Sequence, residues 1–189
     1  GTNLYYFTVY NSVMAHANLF ALYAGLMWAT IQWYEHKLVK YALMIGITAG
    51  MITLIRPVEI ICLFIPLFWG ISSGKDFAAR IRTLITDKQT YVAVAVFVLM
   101  GLPHLFYWKW LTGQWLYYSY TGESFDFTDP HLLWGLLSFK NGWLAYTPVM
   151  YLALFGCLIL LRKRDFLLSV LLFLPIHIYI TYSWWCWNY

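Results

Sequence analysis

One arginine lies in an apolar stretch that otherwise has the composition of a membrane span. Residues 54–60 read LIRPVEI, within the apolar stretch 41–70. A guanidinium group binds a phosphate through two parallel hydrogen bonds, and the proline after Arg56 restricts the backbone there. Arg56 is therefore a candidate ligand for a lipid phosphate, either of bulk phospholipid or of a polyprenyl carrier. The structural alternative is that Arg56 pairs with Glu59 or extends to lipid head groups.

Three histidines also lie inside apolar stretches, each about six residues from the outer end of its predicted helix: His16, His104 and His177. Ionisable residues within a membrane are candidates for function by default. Two of them could ligate a haem, as in membrane cytochromes. All three could instead line a polar cavity that opens to the outside. The plain alternative is that each histidine bonds a backbone carbonyl near the membrane interface.

A third group of polar residues follows the sequence ESFDFTDPH, at positions 123–131. Asp126, Asp129 and His131 offer oxygen and nitrogen ligands that could hold a divalent metal such as Mg²⁺ or Mn²⁺. Their spacing matches no established metal-binding loop. Nucleophile elbows, glycine-rich phosphate loops and nucleic-acid-binding patches are absent from the sequence, so no nucleic-acid partner is expected.

The composition determines what kind of fold must position these residues. The chain has 189 residues, of which 62% are hydrophobic and 11% are charged. A soluble domain carries about 25% charged residues and about 45–50% apolar residues. A core of this size cannot bury so much apolar surface, so lipid must cover part of it. The sequence therefore predicts an all-α, polytopic transmembrane helix bundle.

The distribution of positive charge sets the predicted topology. Apolar runs indicate about six spans, at roughly 11–34, 38–56, 57–73, 91–110, 143–161 and 166–183. Nine of the twelve lysines and arginines fall in three clusters between them, at 35–40, 71–90 and 162–165. The positive-inside rule places these clusters on the cytoplasmic side. Both ends of the chain, and the segment 111–142, are then expected on the outer side.

This topology requires the stretch 41–70 to leave the cytoplasmic side and return. A single 30-residue helix would be about 45 Å long, against a hydrocarbon core of about 30 Å. Proline disfavours helix at the residue before it, so we predict a break at Arg56-Pro57 that puts Arg56 at the outer interface. The first arm contains Gly46 and Gly50, a GxxxG pair that permits close approach of another helix.

The segment 111–142 is too long to be a simple turn. Asp129-Pro130 has the form of a helix N-cap followed by proline at the first helical position. Beyond it, leucines recur on one side of a predicted helix, at Leu132, Leu133, Leu136 and Leu137. We therefore expect a short helix over 130–138 that lies on the outer membrane interface.

Several stretches together resemble a family. They are YYFTVYNSVMAHANLFAL at 5–22, LIRPVEI at 54–60, YSYTGESFDF at 118–127, SFKNGWLAYTPVM at 138–150 and YSWWCWNY at 182–189. The series resembles bacterial GT-C superfamily membrane glycosyltransferases of the protein-mannosyltransferase and aminoarabinose-transferase kind. The resemblance implies a transferase that takes a sugar from a polyprenyl-phosphate donor, at the outer (periplasmic) face of the bacterial inner membrane.

The resemblance also implies roles for residues. A basic residue after a glycine-rich apolar run contacts the carrier phosphate in that superfamily, and Arg56 matches its position. The catalytic acid is usually an Asp or Glu in the first outer loop, and nothing here matches that loop. We therefore expect residues 1–189 to form one transmembrane domain of a longer protein, with the catalytic carboxylate outside this segment.

Two other classes of function remain open from the sequence. A non-catalytic membrane subunit or a lipid-carrier transporter would use Arg56 without transfer chemistry. A membrane haem protein would use the histidines and would show a Soret band.

Overall fold

The chain is helical in the part that a computed structural model describes, which comprises residues 5, 9–10, 15–160 and 164–187. The all-α prediction is therefore confirmed for these residues, where an isolated bridge between Phe125 and Trp184 is the only β contact. In chain order the helices are α1 (His16–His36), α2 (Val39–Ile55), a 3₁₀ helix (Pro57–Leu63), α3 (Phe64–Phe68), α4 (Gly74–Thr86), α5 (Lys88–Thr112), α6 (Leu132–Leu137), α7 (Trp143–Tyr146), α8 (Val149–Leu160) and α9 (Arg164–Tyr182).

By length and composition, one described helix could cross a membrane. Within the described residues, α5 alone is both long and apolar enough to span a bilayer, with 25 residues. Shorter apolar helices cover Val39–Ile55, Pro57–Phe68 and Phe166–Tyr182. Six spans are thus not established by helix length. Arg162 and Lys163 of the third basic cluster lie outside the described residues.

The predicted break at Arg56-Pro57 is confirmed. Helix α2 ends at Ile55, Arg56 is extended (φ −142°, ψ 112°), and the 3₁₀ helix begins at Pro57. The returning arm differs from the regular helix that we expected. Seven 3₁₀ residues and five α-helical residues span about 22 Å, at about 2.0 and 1.5 Å per residue. Gly70, whose φ is +70°, turns the chain soon afterwards.

Side-chain contacts show how α1 and the returning arm lie. The Tyr23 hydroxyl of α1 donates to Glu59, and the Tyr34 hydroxyl donates to the Pro66 carbonyl. The donor and the acceptor of the second hydrogen bond both come later in the chain than those of the first. Helix α1 and the returning arm therefore run parallel. Helix α2, which connects them through short turns, runs the opposite way, as the predicted hairpin requires.

Helix α9 runs antiparallel to the returning arm. Its buried Ser169 donates to the Ile65 carbonyl at 3.1 Å, and His177 reaches Glu59, which comes earlier in the chain. The end of the bundle that holds Arg56 therefore also holds the end of α9. At the opposite end, Phe166 packs edge-to-face on Trp69.

The first two basic clusters meet at that opposite end. The Gln89 amide accepts a hydrogen bond from the Trp33 indole and donates one to the Lys37 carbonyl. From α4, the Arg80 guanidinium donates to the Tyr34 hydroxyl and to carbonyls at the end of α3, which include that of Leu67. A cation at a helix C-terminus satisfies carbonyls that lack partners within the helix and opposes the negative end of the helix dipole.

The glycine pair of α2 makes the close contact that its spacing predicts. A Cβ at Gly46 would lie 2.5 Å from the Ala93 carbonyl oxygen, and one at Gly50 would lie 2.7 Å from Met100 Cβ. Gly46 faces Ala93 and Gly50 faces Met100, so the residue numbers of the two helices increase in the same direction. Helices α2 and α5 therefore pack in parallel. Gly101, on α5 itself, has open space where its Cβ would be.

We expect Gly46→Ala to destabilise the bundle by about 1–3 kcal/mol, because the α5 backbone would have to move. Gly101→Ala is the matched control and should leave the stability unchanged or slightly raised, since alanine favours helix and meets no neighbour. Thermal unfolding in detergent measures both variants. Equal stability for both would mean that α2 and α5 do not pack through Gly46.

Candidate functional site

A buried carboxylate lies near the end of the bundle that carries Arg56. Glu59 is 3% exposed, and one of its carboxylate oxygens accepts a hydrogen bond from the Tyr23 hydroxyl at 2.5 Å. The same oxygen lies 3.4 Å from His177 Nδ1. Burying a charge is expensive unless it is paired and hydrogen-bonded, and these two partners supply both requirements. The three residues come from α1, the 3₁₀ helix and α9.

The 3₁₀ conformation explains why Glu59 faces inward. With three residues per turn, positions i and i+3 lie in line along such a helix. Glu59 therefore aligns with Cys62, which is 0% exposed, and with Ile65 at the start of α3. The apolar members of this line pack in the core and direct the carboxylate toward α1 and α9.

Aromatic rings hold the cluster in place. Phe173 stacks on the His177 ring at 5.4 Å and packs against Tyr23 at 5.5 Å. The His177 side chain remains 34% exposed, whereas that of Glu59 is 4% exposed. A carboxylate that faces Nδ1 fixes the orientation of an imidazole and leaves Nε2 available to a ligand. Glu59 and His177 thus form a carboxylate–imidazole dyad whose imidazole side chain is partly exposed.

Arg56 lies exposed at the edge of this cluster. Its charge acts on both Glu59 and His16, which places the three groups in one electrostatic neighbourhood. The expected alternative, an Arg56–Glu59 ion pair, is wrong. Among the described residues, the basic side chain at ion-pair distance from the Glu59 carboxylate is that of His177. The reason is burial, because the 3₁₀ helix turns Glu59 inward while Arg56 stays at the surface.

The three histidines of the predicted polar cavity do not converge. His16 and His177 both lie close to Glu59. His104 is exposed on α5, where it packs edge-to-face on Trp108 at 4.2 Å. With Leu54, Met100, Pro103 and Tyr107, His104 lines a separate surface depression of about 410 Å³.

The outer loop, which we define as residues 113–131, is fastened to the end of α9. Phe125 packs against Trp184 at 4.6 Å, and the Tyr179 hydroxyl donates to the Phe127 carbonyl. Backbone hydrogen bonds also join the two segments, from Asp126 to Ser183, from Trp185 to Ser124 and from His131 to Tyr182. The motifs YSYTGESFDF and YSWWCWNY, far apart in sequence, are therefore neighbours in the fold.

Within this loop, Asp126 organises a turn. Its carboxylate accepts hydrogen bonds from the Thr128 hydroxyl at 2.7 Å, the Thr128 N–H at 2.9 Å and the Asp129 N–H at 3.2 Å. His131 stacks on Trp187 at 5.3 Å. Among the described residues, no three His, Cys, Asp or Glu side chains converge as a metal site requires. The arrangement of Asp126, Asp129 and His131 therefore lends the metal hypothesis no support.

The predicted loop helix is present but shorter than expected. Helix α6 spans Leu132–Leu137, and its N-cap is His131, without a side-chain hydrogen bond. The prediction that Asp129 caps this helix is wrong, because the Asp126 turn and the His131 bond to Tyr182 occupy the backbone before it. Gly135 lies directly against the Tyr182 ring. The opposite face exposes Leu133, Trp134 and Leu137, as an interfacial helix would.

A comparison with protein-family models, with curated proteins and with solved structures found no match to this chain. The family resemblance therefore remains an expectation that rests on the order of the motifs. The geometry of the described residues has to carry the functional argument.

Sequence reasoning missed the central residue of the site. Glu59 entered only as an alternative partner for Arg56, and Tyr23 did not enter at all. One signal was available, because a glutamate three residues after a membrane arginine is itself an intramembrane charge that needs a partner. Its partners lie 36 and 118 positions away, so their identity required the fold.

We expect Tyr23→Phe to destabilise the protein by about 1.5–3 kcal/mol, the contribution of a hydrogen bond to a charged group. Tyr146→Phe is the control, since the Tyr146 hydroxyl donates to the neutral Phe139 carbonyl; a smaller loss of about 1 kcal/mol is expected. Thermal unfolding in detergent compares the two. An unchanged stability of Tyr23→Phe would contradict a charge-bearing cluster.

For the loop, we expect Asp126→Ala to increase protease cleavage within residues 113–131, since three hydrogen bonds are lost. Asp129→Ala is the matched control and should cleave like the wild type. Hydrogen bonds from the Thr128 side chain and from backbone N–H groups lower the pKa of Asp126 below its ordinary value of 3.8. The stabilisation is therefore complete above that value and is lost as the pH falls through the lowered pKa. Greater cleavage in Asp129→Ala would restore the cap interpretation.

Proposed function

We propose that this chain is a transmembrane segment of a polytopic glycosyltransferase that uses a polyprenyl-phosphate-linked sugar. In this proposal the bundle crosses the bacterial inner membrane about six times and its Arg56 end faces the periplasm. The catalytic carboxylate that activates the acceptor belongs to sequence outside this segment. The part played by the described residues is to bind and orient the carrier phosphate.

One observation carries the proposal: an exposed arginine lies three residues before a buried carboxylate, which Tyr23 and His177 contact, at one end of an apolar bundle. Glu59 contacts Tyr23 and His177, so the guanidinium of Arg56 remains available to a ligand phosphate. The extended backbone at Arg56 and the rigid Pro57 limit how far that group can move. Pre-organised cations of this kind bind phosphate well, because little entropy is lost on binding.

The distribution of charge supports the proposed orientation. The clusters that contain Lys37 and Arg80 lie together at the end of the bundle opposite Arg56. Positive charge concentrates on the cytoplasmic side of membrane proteins, so the Arg56 end is assigned to the outer side. A carrier-linked sugar presented at that side would meet Arg56 at the depth of the lipid phosphates.

The dyad has a supporting role in this proposal. Glu59 is too buried to take a proton from an acceptor hydroxyl, so it is not assigned as the catalytic base. It contacts Nδ1 of His177, whose side chain is partly exposed at the end of the bundle that carries Arg56. The proposal therefore separates phosphate binding by this segment from chemistry at the anomeric carbon.

The test is the affinity for a polyprenyl phosphate, measured on the protein in nanodiscs. Arg56→Ala should weaken binding about tenfold to hundredfold, the equivalent of losing one charged hydrogen bond of about 1.5–3 kcal/mol. Arg56→Lys keeps the charge but loses the planar fork, so an intermediate loss is expected. Lys140→Ala, which removes an exposed cation from the outer half of the chain, is the control and should bind like the wild type.

Glu59→Gln separates structure from binding. It should lower thermal stability, because the charge partner of His177 is removed, and it should change carrier affinity much less than Arg56→Ala does. Equal affinities for wild type and Arg56→Ala would refute the phosphate site. Binding without cleavage of the glycosyl–phosphate bond, in a protein that includes the flanking sequence, would favour a carrier-binding subunit or transporter over a transferase.

A further inference from the structure

Helix α4 (Gly74–Thr86) has an apolar side that is largely exposed, although Phe77 at its start stacks on Phe68 of α3 at 6.5 Å. Phe77, Ile81 and Ile85 recur every four residues and are 45%, 43% and 63% exposed. No residue of this helix is buried. Spacing by four places the three side chains on one face of a helix. A helix that exposes a continuous apolar face next to a membrane bundle needs a partner for that face.

Arg80 determines how α4 is rotated. Its guanidinium turns toward the bundle, where it contacts the Tyr34 ring and the carbonyls at the end of α3. At about 100° per residue, Phe77, Ile81 and Ile85 lie about 60°, 100° and 140° around the helix from Arg80. The apolar face therefore points sideways from the bundle. Phe77 at one end of the face contacts α3, and Ile81 and Ile85 lie farther round the helix, which agrees with their exposure.

Basic residues border this apolar face on the side away from the bundle. Arg82 and Lys75 lie about 200° and 220° around from Arg80, and both are exposed. Asp76, the acidic residue of the first turn, lies on the far side and accepts hydrogen bonds from the Ser72 and Ser73 hydroxyls. The border of the apolar face is thus purely cationic. An apolar face bordered by lysine and arginine is the pattern of a helix that lies in a membrane surface.

The position of α4 in the chain fixes its distance from the bilayer. Only Asp87 separates it from α5, the helix that is long enough to span a membrane. Asp87 caps the start of α5 by accepting the Gln89 N–H, so the connection is short and ordered. The apolar face of α4 is therefore held at the level where α5 enters the lipid.

We propose that Phe77, Ile81 and Ile85 insert among the acyl chains of the cytoplasmic leaflet, while Lys75 and Arg82 bind the phosphates of anionic phospholipid head groups. The occupant of this face is the lipid surface itself, because the rim charge is positive and the helix adjoins a membrane span. This inference rests on the membrane orientation in the proposed function, and it is independent of glycosyl transfer.

The test places the photo-crosslinking residue p-benzoylphenylalanine at single positions of the protein in nanodiscs of phosphatidylcholine and phosphatidylglycerol. Position 81 should give lipid adducts, detected by mass spectrometry. Position 83 lies about 160° around the helix from position 81, outside the apolar face, and should give few. Position 98 on α5, where Val98 is 52% exposed, is the control for embedding and should give lipid adducts in any case. An absence of lipid adducts at position 98 would refute the membrane embedding on which both the proposed function and this inference rest.

A second experiment tests whether the basic residues bordering the apolar face bind anionic lipid. Lys75→Gln with Arg82→Gln should lower the ratio of phosphatidylglycerol to phosphatidylcholine adducts at position 81, by about fivefold for each charge removed. Lys109→Gln with Lys140→Gln, the same charge change in the outer half of the chain, should leave that ratio unchanged. Equal labelling at 81 and 83, protein cross-links in place of lipid adducts at 81, or an unchanged ratio in the first double variant would each overturn the proposal.

Discussion

The need to satisfy one buried negative charge organises the end of this bundle that carries Arg56. Glu59 cannot stay ionised in an apolar surrounding without partners, and its partners come from two other helices. Tyr23 and His177 therefore do more than complete a hydrogen-bond network, since they set how α1, the returning arm and α9 can pack. A single carboxylate thus links segments that the apolar packing alone, which is not directional, would leave free to slide or rotate.

A second polar contact acts in the same way at the opposite end. Arg80 caps the carbonyls at the end of α3, because a five-residue helix that follows a 3₁₀ segment leaves many carbonyls without partners. Between these two contacts the interior is apolar and glycine-mediated, with Gly46 and Gly50 against α5. The bundle is therefore held by directional polar contacts at its two ends and by close apolar packing between them.

Sequence reasoning reached the parts of this arrangement that depend on local rules. The break at Arg56-Pro57 follows from chain length and proline stereochemistry, and the Gly46 contact follows from spacing. It missed the 3₁₀ conformation, because the residues there other than Glu59 are apolar and no period distinguishes three residues per turn from 3.6. It chose Asp129 as a cap because the backbone hydrogen bond from His131 to Tyr182, which helps to fix where the helix begins, joins segments far apart in sequence.

The distance along the chain between Glu59 and His177 also constrains the order of assembly. Tyr23 precedes Glu59, so it is present when Glu59 is synthesised, but His177 follows 118 residues later. At translation rates of about 5–20 residues per second, that interval lasts roughly 6–24 s. During this time the short returning arm holds a carboxylate with only one of its two partners. The packing of α1 and the returning arm around Glu59 can thus be completed only after α9 has been synthesised, so α9 takes part in the folding of helices that come much earlier in the chain.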